Sequence, residues 1–401
     1  MAVRGLSDVR RWLAAGDLLH PREQDPSSID LSNAIASLCG AATPSLSNGA
    51  ARIRDELDGA QHLVVILADG LGANHLPELR ADGPLARARR LDLRAVYPST
   101  TAAALTSFAS GKWPGEHGIT GFWTYYRELS RTLSPLWFLE RGTRIPGQKL
   151  GLEIEQLTGG SSRFGSFLRE VHSILPRGME ASPYSRWFRG DTAASTFRKP
   201  DHISRLLPRR VRKARAASLV YAYLPHIDSL SHRHGWRSTE VRRAVGDLDL
   251  MAGELRRKLP SDVRIVITAD HGHINVPDGQ TFVLTDQDPL LEYLRVPPSG
   301  ESVGPVFHVV PGREQDFLTA FGRRPFADSI ALLENPELEA LGITGPGGLS
   351  PRARANFGDF ICVARDPIAV EYVPAGSEPK LFRGMHGGLR PDEQQVPLFI
   401  L

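Results

Sequence analysis

Four apolar runs in this chain are each bordered by groups that could bind metal. "LVVILADGLG" runs into Asp69, and "VYAYLPHIDSLSHRHG" delivers Asp228, His232 and His234. "VRIVITADHGH" delivers Asp270, His271 and His273, and "FRGMHGGLRPDEQQVPLFIL" places His386 shortly before a last apolar run. One such Asp means little, because Asp-Gly is ordinary turn chemistry. A lone His is far more often a packed ring than a ligand. The set is different. Asp69, Asp228 and Asp270 with His232, His271 and His386 offer hard oxygen and borderline nitrogen donors, a mixture that suits zinc or manganese. Two such ions about 3.5–4 Å apart clamp the attacking and leaving oxygens of an in-line displacement at phosphorus.

That chemistry needs a nucleophile, and "YPSTTAAALTSFASGKWPGEHGITGF", Tyr97 to Phe122, offers one. Ala102 to Ser110 reads as a short helix, because alanine is the best helix former. Gly111 and Pro114 stop it. Ser99, Thr100 or Thr101 could simply cap that helix. Thr101 also stands at its positive end, where an anionic substrate is favoured. A metal bond would lower the pKa of its hydroxyl, which is otherwise a poor nucleophile.

Elements must bring these groups together. Leu63 to Ala68, Ala217 to Leu224, Val263 to Ala269 and Val396 to Leu401 lack an alternating polar face, as strands covered on both sides do. Helical stretches lie between them. In Ser238 to Lys258, for example, Val241, Val245, Leu248, Met251, Ala252 and Leu255 make one apolar face. The alternation predicts an α/β fold with a largely parallel central sheet. In open sheets of this kind the ligand site lies at the carboxyl ends of strands. Three of the four clusters follow a strand directly. Residues 123–215 and 280–380 are rich in Gly and Pro and fit the rhythm less well. They are expected to be cap-forming insertions in one catalytic domain spanning 1–401.

Composition narrows the function. The chain has 401 residues, 41% hydrophobic and 23% charged, with net charge +3. That charge gives no nucleic-acid footprint and no polybasic membrane anchor. The basic run "PRRVRKAR" reads as a solvated helix or loop. Cys39 and Cys362 support no disulfide framework and suit a reducing compartment. The chain shows neither a secretory h-region nor an uncharged apolar run of about 18 residues, so a cytoplasmic protein without a membrane span is expected.

The ordered motifs resemble the type I phosphodiesterase/nucleotide pyrophosphatase family of the alkaline phosphatase superfamily. They are Asp69-Gly70, Tyr97–Thr101 with Gly111, Pro114, His117 and Gly118, then Asp228/His232/Gly235, Asp270–Gly272 and His386-Gly387. The resemblance brackets residues 60 to 401 and implies an alkaline phosphatase-like three-layer α/β/α sandwich. It implies two divalent ions, zinc first and manganese second. Asp228, His232 and His386 would hold one, and Asp69, Asp270 and His271 the other, with Thr101 beside it. Thr101 would attack phosphorus, and a metal-activated water would then free the phosphothreonine. The implied partner is a small phosphodiester or nucleotide-like molecule. His117 and His234 would hold loops.

The chain departs from the family's T-F-P-N at "TAAA", Thr101 to Ala104. Ala102 stands for a Phe that packs on a nucleobase, and Ala104 for an Asn that bonds a phosphate oxygen. Both are expected to line the site. Lys112 or an arginine of the insertions would then have to supply the missing donor, a group worth several kcal/mol in transition-state stabilisation. A phosphomonoesterase, a phosphonate hydrolase on the same scaffold and a degenerate metal-binding non-enzyme are the alternatives.

Overall fold

The computed structural model describes residues 3–22, 26–42 and 45–401. Seven strands form the central sheet: β1 (His62–Ala68), β2 (Arg89–Arg94), β3 (Glu170–Pro176), β4 (Ala193–Phe197), β5 (Ser218–Leu224), β6 (Val263–Thr268) and β7 (Gln395–Ile400). Their order is β2-β7-β6-β1-β5-β3-β4. β1 pairs parallel with β5 and β6, and β3 pairs parallel with β4 and β5. Only β7 runs against its neighbours β2 and β6. The strands read from the sequence are therefore present, each within a residue of its expected ends.

The sheet is the middle layer of an α/β/α sandwich. β1 is buried from Leu63 onward and β5 along its whole length, the reason both lack a polar face. Helices Ser28–Leu38, Asn48–Leu57, Ile203–Lys213 and Thr239–Lys258 give Leu31, Ile53, Leu207 and Val245 to the same core. Ser238 caps the last of these through its side chain. Among the described residues no helix is long and apolar enough to cross a membrane.

The expected insertion at 123–215 needs correction. Its first part does stand outside the sheet, as three short antiparallel strands, Thr124–Tyr126, Arg131–Ser134 and Leu139–Glu140. Its later part supplies β3 and β4, which extend the central sheet to one edge. They escape a reading based on continuous apolar runs because exposure there lets Glu170, His172 and Ser195 alternate with apolar residues. Within 280–380, an antiparallel sheet runs in the order Leu294–Gly300, Pro305–Val309, Phe360–Ala364, Ile330–Leu333. It has its own core around Phe307, Phe317, Phe321 and Phe326.

Candidate active site

The carboxyl ends of β1, β5 and β6 form one rim. Asp69 leaves β1 directly, and Asp270 and His271 follow β6 by two and three residues. After β5 the chain turns into the helix His226–His234, which carries Asp228 and His232 four residues apart and so on one face. β7 is antiparallel, so its beginning lies on the same rim, and His386 precedes it. The two-residue strand Gly384–Met385 pairs with Ile274–Asn275 and ties His386 beside His273.

The predicted residues converge. His232 Nε2 is 3.2 Å and His386 Nε2 3.7 Å from Asp228 Oδ1, and the two Nε2 atoms are 3.3 Å apart. His271 Nε2 lies 3.5 Å from Asp69 Oδ1 and 3.6 Å from Asp270 Oδ2. The rings of His271 and His386 stack with centroids 3.7 Å apart. Thr101 is the first residue of the helix Thr101–Ser110, and its Oγ1 is 3.1 Å from His271 Nε2. The structure adds a residue to which the sequence assigned no role. His273 Nε2 is 3.1 Å from Asp228 Oδ1, and His273 groups with Asp228, His232 and His386. Asp69, Asp228 and His271 form a second group that shares Asp228.

Backbone carbonyls set the tautomers. His232 Nδ1 faces Gly384 O at 2.7 Å, His271 Nδ1 faces Gly272 O at 3.0 Å, and His386 Nδ1 faces Ser99 O at 3.0 Å. His273 Nδ1 faces Gly70 O at 3.3 Å. A carbonyl can only accept, so each neutral ring carries its proton on Nδ1 and aims the Nε2 lone pair inward. Lone pairs of nitrogen thus meet carboxylate oxygens. Asp69 Oδ1, Asp228 Oδ1, Asp270 Oδ2 and His273 Nε2 are buried with no hydrogen-bond partner. Burial, with Asp270 and Asp228 close by, holds the Asp69 carboxyl well above its usual range. Such a set of donors fits cations, which would satisfy the orphaned lone pairs and offset the crowded negative charge. Tyr223 donates its hydroxyl to Asp69 Oδ2 from the adjacent strand β5.

A cleft of about 580 Å³ opens over this rim. Thr101, Asp69, Asp228, His232 and His386 line it, as do Phe122, Trp123 and Trp137. Phe122 packs edge-on to both tryptophans, at 5.2 and 4.6 Å. Ala102 and Ala104 do not line it. They are buried in a cluster with Ile29, Val96 and Ile119, whose side chains cover them. Leu105, one turn beyond Thr101, faces the cleft instead. Lys112 does not line it either, and its Nζ donates to Gly159 O. His117 bonds Ser107 and the Ile119 N–H, apart from the cation-binding groups.

A family model for type I phosphodiesterase / nucleotide pyrophosphatase matches residues 63–141 and 163–388. A Saccharomyces cerevisiae protein named ectonucleotide pyrophosphatase/phosphodiesterase 2 is 27% identical over 220 residues, 48% of this chain. The match spans only 41% of that relative's length. Among solved structures, murine ectonucleotide pyrophosphatase/phosphodiesterase 5 superposes with TM-score 0.61 at 14% identity, and the human protein with 0.62 at 12%. Each comparison covers 84% of this chain and 87% of the other. An inactive variant of the murine protein, solved in complex with AMP, matches with TM-score 0.61 at 13% identity. These likenesses show a shared fold. With the family match over most of its length, this chain belongs to the type I phosphodiesterase/nucleotide pyrophosphatase family.

Proposed function

We propose that this chain hydrolyses small phosphodiester or nucleotide-like substrates through a phosphothreonine on Thr101. In this reading Asp228, His232 and His386 hold one divalent cation, and Asp69, Asp270 and His271 hold the other beside Thr101. Zinc suits these donors best, and manganese is second. The observation that carries the reading is the place of the Thr101 hydroxyl, at the first residue of a helix, 3.1 Å from His271 Nε2 and open to the cleft. Bound cations would neutralise phosphoryl oxygens and favour the ionised threonine hydroxyl.

The chain's own residues do the rest. The free N–H groups at the start of the Thr101–Ser110 helix favour an anion there. Tyr223 fixes Asp69, and the backbone carbonyls fix the four imidazoles. Thr101 gives up its hydroxyl proton as Oγ bonds to phosphorus and the bond to the leaving oxygen breaks in line, and the departing oxygen takes up a proton. Water then adds to phosphorus, and the threonine oxygen leaves with a proton. An aryl or nucleobase group on the substrate would meet Phe122, Trp123 and Trp137, since Ala102 faces the core.

The test uses bis-p-nitrophenyl phosphate and p-nitrophenyl phosphate with protein stripped of metal and reloaded with zinc or manganese. Metal-dependent release of nitrophenol, lost in Thr101→Ala, is the expected result. Mass spectrometry of quenched reactions should find phosphate on Thr101. No turnover of either ester under any loading would sink the proposal and favour a binding protein.

A further inference from the structure

Glu301 is a cleft carboxyl that neither proposed cation uses. It follows the strand Leu294–Gly300 and lines the cleft with Thr100, Thr101 and His386. Its Oε1 accepts the Thr100 hydroxyl at 2.5 Å and the Phe122 N–H at 2.6 Å. These bonds tie the carboxyl to the residue next to the nucleophile. Both bonds go to one oxygen, which leaves Oε2 without a hydrogen bond among the described residues.

Among the described residues no Lys or Arg lies within ion-pair distance of Glu301. Arg141, the buried arginine of the cleft, gives its Nη1 and Nη2 to the carbonyls of Pro298 and Tyr372. Its guanidinium also stacks 4.5 Å from the Tyr372 ring. Burial pushes the Glu301 carboxyl up to about 7, against the pull of Thr100, Phe122 and His232, so it is ionised in alkaline solution.

We propose that Glu301 selects the charge of the phosphoryl group, admitting the monoanion of a diester and disfavouring the dianion of a monoester. The inference rests on the phosphoryl-transfer reading of the site given above. A second negative charge on the substrate meets a fixed carboxylate in a cleft where water screens poorly, and the repulsion grows with each unit of charge. A diester carries one charge fewer. Its second ester arm also replaces a charged oxygen by a neutral one.

The experiment compares kcat/KM for bis-p-nitrophenyl phosphate and p-nitrophenyl phosphate at pH 8.5, a pH chosen on the order of one unit or more above that carboxyl's range. Glu301→Gln keeps an acceptor for Thr100 and Phe122 and removes the charge. It should raise the monoester-to-diester ratio by about tenfold or more. Glu301→Asp keeps the charge, and its ratio should stay within about threefold of wild type. Circular dichroism and metal content check that each variant is folded and loaded. An unchanged ratio in folded Glu301→Gln overturns the inference, as does an equal shift in both variants, which would mark a lost tie rather than a lost charge. Should Glu301→Gln not fold, a tenfold shift in Glu301→Asp alone overturns it. Wild-type protein that turns over neither ester overturns the site reading itself.

Discussion

Thr101 Oγ1 and His271 Nε2 face each other at 3.1 Å, while the opposite ring nitrogen, Nδ1, is bound to Gly272 O. The carbonyl fixes the proton on Nδ1, so Nε2 presents a lone pair to the threonine hydroxyl. Thr100 has a different task. It occupies the position before the helix, yet its side chain makes no cap bond and donates to Glu301. Of Ser99, Thr100 and Thr101, the three residues that could have capped the helix, Thr100 is therefore no side-chain cap, and its hydroxyl is turned to the Glu301 carboxyl instead.

The two threonines should therefore separate on mutation. Thr101→Ala should lose nearly all turnover with its fold kept, and Thr101→Ser should keep part, because the hydroxyl remains. Thr100→Ala removes a hydrogen bond to a carboxyl and should cost about 1.5–3 kcal/mol of stability, read from urea denaturation. Phosphate trapped on residue 100 rather than 101 would show the register of the nucleophile to be wrong by one.

The histidines and aspartates should divide by cation. Alanine at Asp228, His232 or His386 should remove one of two metal equivalents, and alanine at Asp69, Asp270 or His271 the other, as read by elemental analysis. His273→Ala takes away a neighbour 3.1 Å from Asp228 Oδ1. It should weaken binding of the first ion by roughly 10–100-fold in chelator competition, the usual effect of losing a group that supports a ligand. Two full equivalents with undiminished affinity in all seven variants would refute the assignment.

Much of this site could be read from sequence because a mostly parallel sheet collects its strand ends on one rim. Asp69, Asp228, Asp270 and His271 follow buried strands with no polar face, and such strands are easy to recognise. β2, with its sequence "RRLDLR", was harder, since at the sheet edge its first two residues are exposed, only Leu93 is buried, and no apolar run remains. Glu301 was hidden for another reason. Its partners Thr100 and Phe122 are 201 and 179 residues away, and no local pattern records so distant a contact. Ala102 and Ala104 misled because a motif gives spacing, whereas Ile29, Val96 and Ile119 pack over both side chains.

Acid should weaken the fold through buried neutral histidines. His117 donates from Nε2 to Ser107 Oγ at 3.0 Å and accepts the Ile119 N–H on Nδ1 at 3.1 Å. Burial, with the charges of Arg352 and Lys112, brings its pKa down to about 3. The folded pKa is thus below the unfolded value of about 6.5. Between them the unfolded chain binds more protons, so stability falls as pH falls, by up to about 1.4 kcal/mol per pH unit. Metal-free wild type should lose urea resistance from pH 6.5 to 4. His117→Gln should start less stable and show a slope smaller by about one proton. An equal slope in the variant would mean that His117 is not held neutral.

Ala104→Asn tests which way the nucleophile's helix faces. If Ala104 bordered the phosphate, the new amide would restore a donor and raise diester turnover. The side chain is instead 3% exposed and packs in the cluster of Ile29, Val96, Ala102, Ala103 and Ile119. Extra atoms there overpack a filled space, typically at about 1–3 kcal/mol. The amide would also lack partners in apolar surroundings, which adds about 1–3 kcal/mol. The variant should melt several degrees lower and turn over bis-p-nitrophenyl phosphate no faster than wild type. A strain that deep would also tilt the first turn, so a modest fall in kcat with KM little changed is expected. A variant as stable as wild type and faster on the diester would place residue 104 in the cleft and reverse the orientation of the helix described here.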